Sequence, residues 1–256
     1  MLVTPAPTNT SQTVASVLPV NAAVVQQLEQ EIPSGKQSAY LEMSEEEHLE
    51  VLAKMRLMVQ QPVGHLPAQE ELYLEQQLTD MLGFEICAEL EEQRLNHMIG
   101  VMSALPHLRR FPTDKLEQHE QYREAGLSPC RSAFGWFTKM GQLTNEVKQA
   151  EAYYVAVQAQ FTPGWHEQFA QRKNWYKFRK MLVINPVESV AVVATIGDLG
   201  PAQWMQYQFG GSPEIIRDAK VWSLNTSGKV LMFFVNDPQD HIPLGVVSLN
   251  YQDLMH

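Results

Sequence analysis

The run Gly197 to Ile216, GDLGPAQWMQYQFGGSPEII, places a lone carboxylate, Asp198, behind the strand-like segment Val190 to Ile196 and one residue before a break at Gly200-Pro201. Such a carboxylate makes either a catalytic corner or only a turn whose backbone N–H groups it accepts. Around it in the sequence stand Trp165, Trp175, Tyr176, Trp204 and Tyr207. Large apolar faces with polar rims are the chemistry of a platform that stacks on sugar rings; the competing expectation is that these rings plug a small barrel. Trp165 and Trp204 are expected to be exposed, because turn-forming Gly and Pro stand close by. Arg109-Arg110 beside His107 forms a small cationic spot that either meets a phosphate or carboxylate or ends the preceding helix favourably. His97, His107, His119 and Asp114 match no recognised ligand signature, so surface and capping roles are expected and no metal or other cofactor is assigned. Cys87 and Cys130 are too few for a disulfide scaffold; two buried thiols are expected in preference to one bridge.

The elements that must position these residues fall into two kinds. Ser44 and Glu47 have the spacing of a capping box, and Leu52, Met55 and Val59 follow at helical intervals up to Pro62–Gly64. A second helix opens after Pro67, with Glu70 and Glu71 in its first turn and Leu74, Leu78, Met81 and Leu82 on one face. The steps between Leu95, Met98, Met102 and Leu105 predict a third helix over about Glu85 to Leu105. Pro106 to Ser132 is polar and turn-rich, and Leu143 to Tyr154 is again helical in pattern. Beyond that, YYVAVQAQF, KMLVIN, VAVVATI and KVLMFFV are β-branched or aromatic runs bounded by Gly, Pro, Asn and Asp. Helices followed by strands indicate an α+β chain, with a boundary near residue 150. Within VAVVATI both alternating sets are apolar, so this strand must be covered on both faces. Ser212, Pro213 and Glu214 suit the N-cap, first and second positions of a short helix.

With 256 residues and a net charge of −10, the chain has material for a large core and lacks the clustered basic surface that nucleic acid requires. Only RKNWYKFRK, Arg172 to Lys180, is locally basic with interleaved aromatics. No run approaches the roughly 20 apolar residues of a membrane span, and no signal peptide is visible. Residues 1–35 are rich in Thr, Ser, Pro, Gln and Val, as in a linker or stalk.

The order of parts from Trp175 onward resembles the double-psi β-barrel proteins of the rare-lipoprotein-A and expansin type. The likeness lies in a strand ending in Asn185, the turn Pro186 to Ser189, the strand Val190 to Ile196, the corner Asp198-Leu199-Gly200-Pro201, and Gly211-Ser212-Pro213 opening a helix to Ala219. Lys229 to Val235 then closes the barrel. The chain is also similar, over most of its length including HLRRFPTD, to proteins placed in the envelope of reduced-genome bacterial lineages. The resemblance implies that Asp198 is the carboxylate that meets a glycan. The family's partner histidine falls near Arg172, which stays protonated, so His166 takes its place only if the loop is reshaped. The acidic residue often found before the short helix is replaced by Gly210-Gly211.

Three units are therefore expected: a linker over 1–35, a helical domain over 36–150, and a small double-psi-like β-barrel over 151–256. The function implied is extracytoplasmic binding of peptidoglycan or another cell-wall glycan. Lytic transglycosylase-like cleavage through Asp198 is one alternative, and an intracellular protein-interaction module using the helical domain is the other; in the glycan-binding reading the helical domain is also where an envelope protein partner is expected. Val183, Val192, Ile196 and Leu231 are expected in one barrel core.

Overall fold

The computed structural model describes residues 43–254; the expected linker lies outside them. Helix α1 (Glu45–Met58) begins in the capping box, with the Ser44 N–H donating to Glu47 at 2.8 Å and the Glu47 N–H to Ser44 Oγ at 3.3 Å. Helix α2 (Ala68–Leu82) stops where Gly83 turns left-handed at φ 69°, a conformation that a side chain would resist. Both helices bury their apolar stripes, Val51, Leu52 and Met55 on α1 and Leu74, Leu78 and Met81 on α2.

The helix expected over Glu85 to Leu105 is not formed. That segment builds β1 (Ile86–Cys87), β2 (Glu89–Leu90), β3 (Gln93–Arg94) and β4 (Ile99–Ala104). Glu91 and Glu92, both at positive φ, make the two-residue turn of a β2–β3 hairpin, and no right-handed helix runs through two left-handed residues. Partners on both edges then hold β4 extended: it pairs parallel with β8 (Phe209–Gly211) and antiparallel with β9 (Lys229–Val235). Tertiary pairing overrides the local helical spacing.

Four further strand pairings close a barrel. β5 (Tyr154–Val157) joins β8 to β7 (Val190–Leu199), and β6 (Lys180–Asn185) joins β7 to β9. The circuit β4–β8–β5–β7–β6–β9 returns to β4, with parallel pairs at β4·β8 and β5·β7. Its interior holds Met102, Val155, Val157, Met181, Val183, Val192, Ile196, Phe209, Met232 and Phe234. The outer wall of Leu182, Ile184, Ala191, Val193, Leu231 and Phe233 packs under α1 and α2. Leu231 thus sits one register step from the place expected for it, outside the barrel, because its neighbours Val230 and Met232 point inward. The barrel draws β4 from the segment before residue 150.

Shorter elements decorate the barrel: α3 (Asn145–Ala152), α4 (Phe169–Tyr176), α5 (Pro213–Asp218), β10 (Gly245–Ser248) on the edge of β7, and α6 (Tyr251–Leu254). Among the described residues no helix is long and apolar enough to cross a membrane. Cys87 and Cys130 are both free; Cys130 is exposed rather than buried, and burial pushes the Cys87 thiol up to about 12.

At the end of β6 the Lys180 ammonium meets Asp237 at 2.5 Å in a nearly buried pair. Burial pushes the Asp237 carboxyl up, but Lys180 and the His241 and Ile242 N–H groups outweigh it and hold it below the ordinary value. A depressed carboxyl contributes stability above its unfolded pKa of about 3.9 that is lost as the pH falls through the folded one. Asp237→Asn should therefore lower the urea midpoint at pH 7, and the gap from the parent should narrow as the pH falls below the ordinary aspartate value and through the lowered folded one. A gap that stays constant across this range would show that the ion pair is not its source.

Candidate functional site

Asp198 owes its position to a register break. In the parallel β5·β7 ladder Val155 faces Ile196 but Ala156 faces Asp198, so Gly197 is the extra residue of a bulge. A Cβ on Gly197 would lie 2.6 Å from Tyr154 Cβ and 2.9 Å from the Phe137 ring, so only glycine fits. The Asp198 Oδ1 accepts N–H bonds from Ala133 at 2.6 Å and Leu199 at 2.9 Å. Burial raises its pKa; those two N–H groups and the Lys173 charge oppose the rise without cancelling it. The carboxyl is thus an acceptor in the corner and also holds its proton more tightly than a surface aspartate.

It lines an open groove of about 570 Å³ with Ser103, Leu105, Met205, Tyr207 and Trp222. The Trp222 indole is fixed by donating to the Met102 carbonyl at 3.0 Å, and it packs over Gly228, whose added Cβ would meet the ring at 2.5 Å. Trp204 stands on the loop that supplies Ala202, Met205 and Tyr207 to the groove and is 82% exposed.

The other expected aromatics are elsewhere. Trp165 is 3% exposed, with its ring against Phe169 and Tyr176, so the exposure expected for it is not found. Tyr176 is fully buried and donates to the Arg94 carbonyl at 2.9 Å. Trp175 donates to Glu91 at 2.8 Å, carries Arg179 over its ring and packs edge-on against Phe234. These three rings plug the barrel: α4, which carries Trp175 and Tyr176, and the turn before it, which carries Trp165, pack on the interior cluster. His166 is exposed, whereas Arg172 is tied to Gln168 and faces Gly164. The Gly210-Gly211 pair has a packing reason: a Cβ there would strike Leu105 at 2.3 Å and Met102 at 2.7 Å. Asn185 donates to the Ala219 and Lys220 carbonyls and so fastens the end of α5. Trp222 belongs to the groove but was not singled out in the sequence; its only signal is a tryptophan in a loop ahead of a glycine.

A second set of polar residues is brought together next to β4. Arg110 is buried, donating from Nε to Asp114 Oδ2 and from Nη2 to Oδ1, both at 3.1 Å, and to the Gln118 carbonyl at 3.0 Å. Arg109 donates to the Ser128 and Asp114 carbonyls. The cationic spot read from the sequence is therefore turned inward at Arg110, and the surface and capping roles expected of His107, His119 and Asp114 are replaced by burial. His107 Nδ1 is 3.3 Å from Glu151 Oε1, and His119 Nδ1 is 3.1 Å from Glu151 Oε2. Burial opposes a charged His107, yet Glu151, Glu214 and the Gln121 carbonyl lift its pKa above the ordinary value. Burial would raise Glu151, but the two imidazoles hold it low. Glu214 is pushed up to about 7, by burial first and then by Glu151 and Asp218 against the pull of His107. Of the four residues weighed as ligands in the sequence, His97 is apart, half-buried beside His65.

No family model matches this chain, and neither curated proteins nor solved structures show a significant match to it.

Proposed function

We propose that the chain binds a cell-envelope glycan, peptidoglycan being the expected polymer, in the groove beside Asp198 and does not cleave it. The observation that carries this reading is the pairing of a groove-lining carboxylate with Tyr207, Trp222 and Met205, beside the exposed ring of Trp204. Carboxylates accept sugar hydroxyls, while flat apolar faces stack on sugar rings. We read the barrel as double-psi in kind, related to rare-lipoprotein-A and expansins, from its two parallel pairs and the Asn185 to Pro201 motif. Such a protein would act outside the cytoplasm, at the envelope.

Glycan cleavage is the second reading, and the raised pKa of Asp198 favours it, since a general acid must keep its proton. Against it, the charge that acts on Asp198 is Lys173, which does not supply the second carboxyl group of a glycosidase. Contact with a protein partner through the helical pair has less support, because α1 and α2 bury their main apolar stripes on the barrel wall.

Sedimentation with purified sacculi tests the binding. Trp204→Ala should weaken it roughly two- to thirteenfold, the value of a stacking contact of about 0.5–1.5 kcal/mol, and shift stability by no more than about 0.5 kcal/mol. Undiminished binding by both Trp204→Ala and Tyr207→Ala would remove the groove as the glycan site. Muropeptide release separates the two readings: the parent should release none, and fragments that vanish in a folded Asp198→Asn variant would make the chain an enzyme.

A further inference from the structure

We propose that His107, His119, Glu151 and Glu214 form a closed binding site for one zinc-like divalent metal ion, which clamps the 106–128 segment to α3 and α5. The four side chains come from three separate stretches of chain, two from the 106–128 segment and one each from α3 and α5, and each is at least nine-tenths buried. Potential ligand atoms of His107, His119 and Glu151 all lie within 4.8 Å of one another.

The hydrogen bonds around the two imidazoles decide what belongs between them. His107 Nε2 lies 3.0 Å from the Gln121 carbonyl and 3.2 Å from that of Tyr122; His119 Nε2 lies 3.1 Å from Asp114 Oδ2. Those partners only accept, so each Nε2 carries the ring's proton and each Nδ1 presents a lone pair. Both lone pairs are directed at Glu151, an acceptor itself, at 3.3 and 3.1 Å. Lone pair facing lone pair in a buried pocket requires a positive charge between them.

Two extra protons are one solution, but they place two buried imidazolium rings with centroids 4.6 Å apart. They also both go to Glu151, which leaves the buried Glu214 Oε2 without a hydrogen-bond partner, 4.0 Å from His107 Nδ1. A divalent cation answers both faults: it neutralises Glu151 and Glu214 together and gives the orphaned oxygen a partner. Arg110 and Asp114 already pair with each other and leave no net charge over. At metal–ligand bonds of about 2.0–2.2 Å, tetrahedral ligand atoms stand about 3.3–3.6 Å apart, close to the 3.3 and 3.1 Å separations between the imidazoles and Glu151.

The outer contacts are those of a metal centre as well. Asp114, held by Arg110, orients His119, and backbone carbonyls orient His107, which fixes the tautomer that leaves Nδ1 free to ligate. Two imidazoles with two carboxylates suit zinc and its first-row neighbours, whereas calcium and magnesium favour oxygen alone. The site is too enclosed for substrate, so its role is structural. It explains how a long polar segment, whose regular structure is the short turns Leu116–Gln118 and Arg123–Ala125 and one bridge between His107 and Leu127, holds a defined shape.

Elemental analysis of full-length protein purified without a metal-affinity tag should give about one zinc or related ion per chain. After treatment with a chelator, Zn²⁺ or Co²⁺ should raise the melting temperature in a saturable way, while Mg²⁺ and Ca²⁺ should not. His119→Ala removes a ligand but also opens a cavity, so Glu214→Gln, which keeps the shape, is the second variant. It should fold and bind Zn²⁺ at least about tenfold more weakly, and Asp114→Asn should weaken binding roughly 10–100-fold through His119. A parent that contains no metal and shows no thermal response to Zn²⁺, Co²⁺ or Mn²⁺ would overturn the proposal. So would Zn²⁺ binding that is unchanged in both Glu214→Gln and His119→Ala.

Discussion

Replacing Arg110 with alanine should destabilise the protein by about 3–5 kcal/mol, the usual loss when one partner of a buried ion pair is removed. Arg110 is 2% exposed and Asp114 1%, so the carboxylate left behind has no access to water to replace the guanidinium. The Gln118 carbonyl loses its donor in the same step. Urea unfolding at pH 7 reads the effect directly, and the Arg110→Ala, Asp114→Ala double variant supplies the control. Each single change strands a charge that the double change removes, so the double loss should be clearly smaller than the sum of the singles. Additive losses would mean that the two side chains are not coupled, and a loss under about 1 kcal/mol for Arg110→Ala would mean that the guanidinium is not buried against Asp114.

The barrel interior should respond as strongly to Phe234→Ala, by about 3–5 kcal/mol. Phe234 is fully buried on β9, pairs across to Met181 of β6 and packs edge-on against Trp175, with ring centroids 5.6 Å apart. Strand neighbours on both sides and the plug of α4 above leave little room for collapse into the space vacated. Phe234→Leu keeps much of the volume and should cost clearly less. Equal losses for the two variants would point to an interior that is loosely filled. The contrast with Trp204, whose removal should scarcely alter folding, separates aromatics that build the barrel from those that remain free to meet a ligand.

Much of the frame could be read from residue order. The capping box at Ser44, the stripe of α2, the α5 cap at Ser212-Pro213 and the runs that became β6, β7 and β9 all depend on neighbours a few positions away. Local spacing misled at Glu85 to Leu105. Its steps of three and four satisfy a helix, but the left-handed pair Glu91-Glu92 and the pairing of β4 with β8 and β9 fix it as strand. Neither partner strand begins before Phe209, so no window around β4 contains the information.

The same division runs through the sites. Sequence determined that a carboxylate would stand at the Asp198 corner, because a strand-like run, Gly197 and the Gly200-Pro201 break follow one another there. It also placed Trp165, Trp175, Tyr176, Trp204 and Tyr207 around that corner in residue order. Tertiary structure alone decided which rings remain outside: Trp165 and Tyr176 go inward to the barrel cluster, while Trp222, from a distant loop, joins Asp198 and Tyr207 at the groove. It alone brought His107, His119, Glu151 and Glu214 to one point, since ligation and charge pairing act through distances of a few ångströms, and residues separated by long stretches of sequence reach those distances only when the barrel closes.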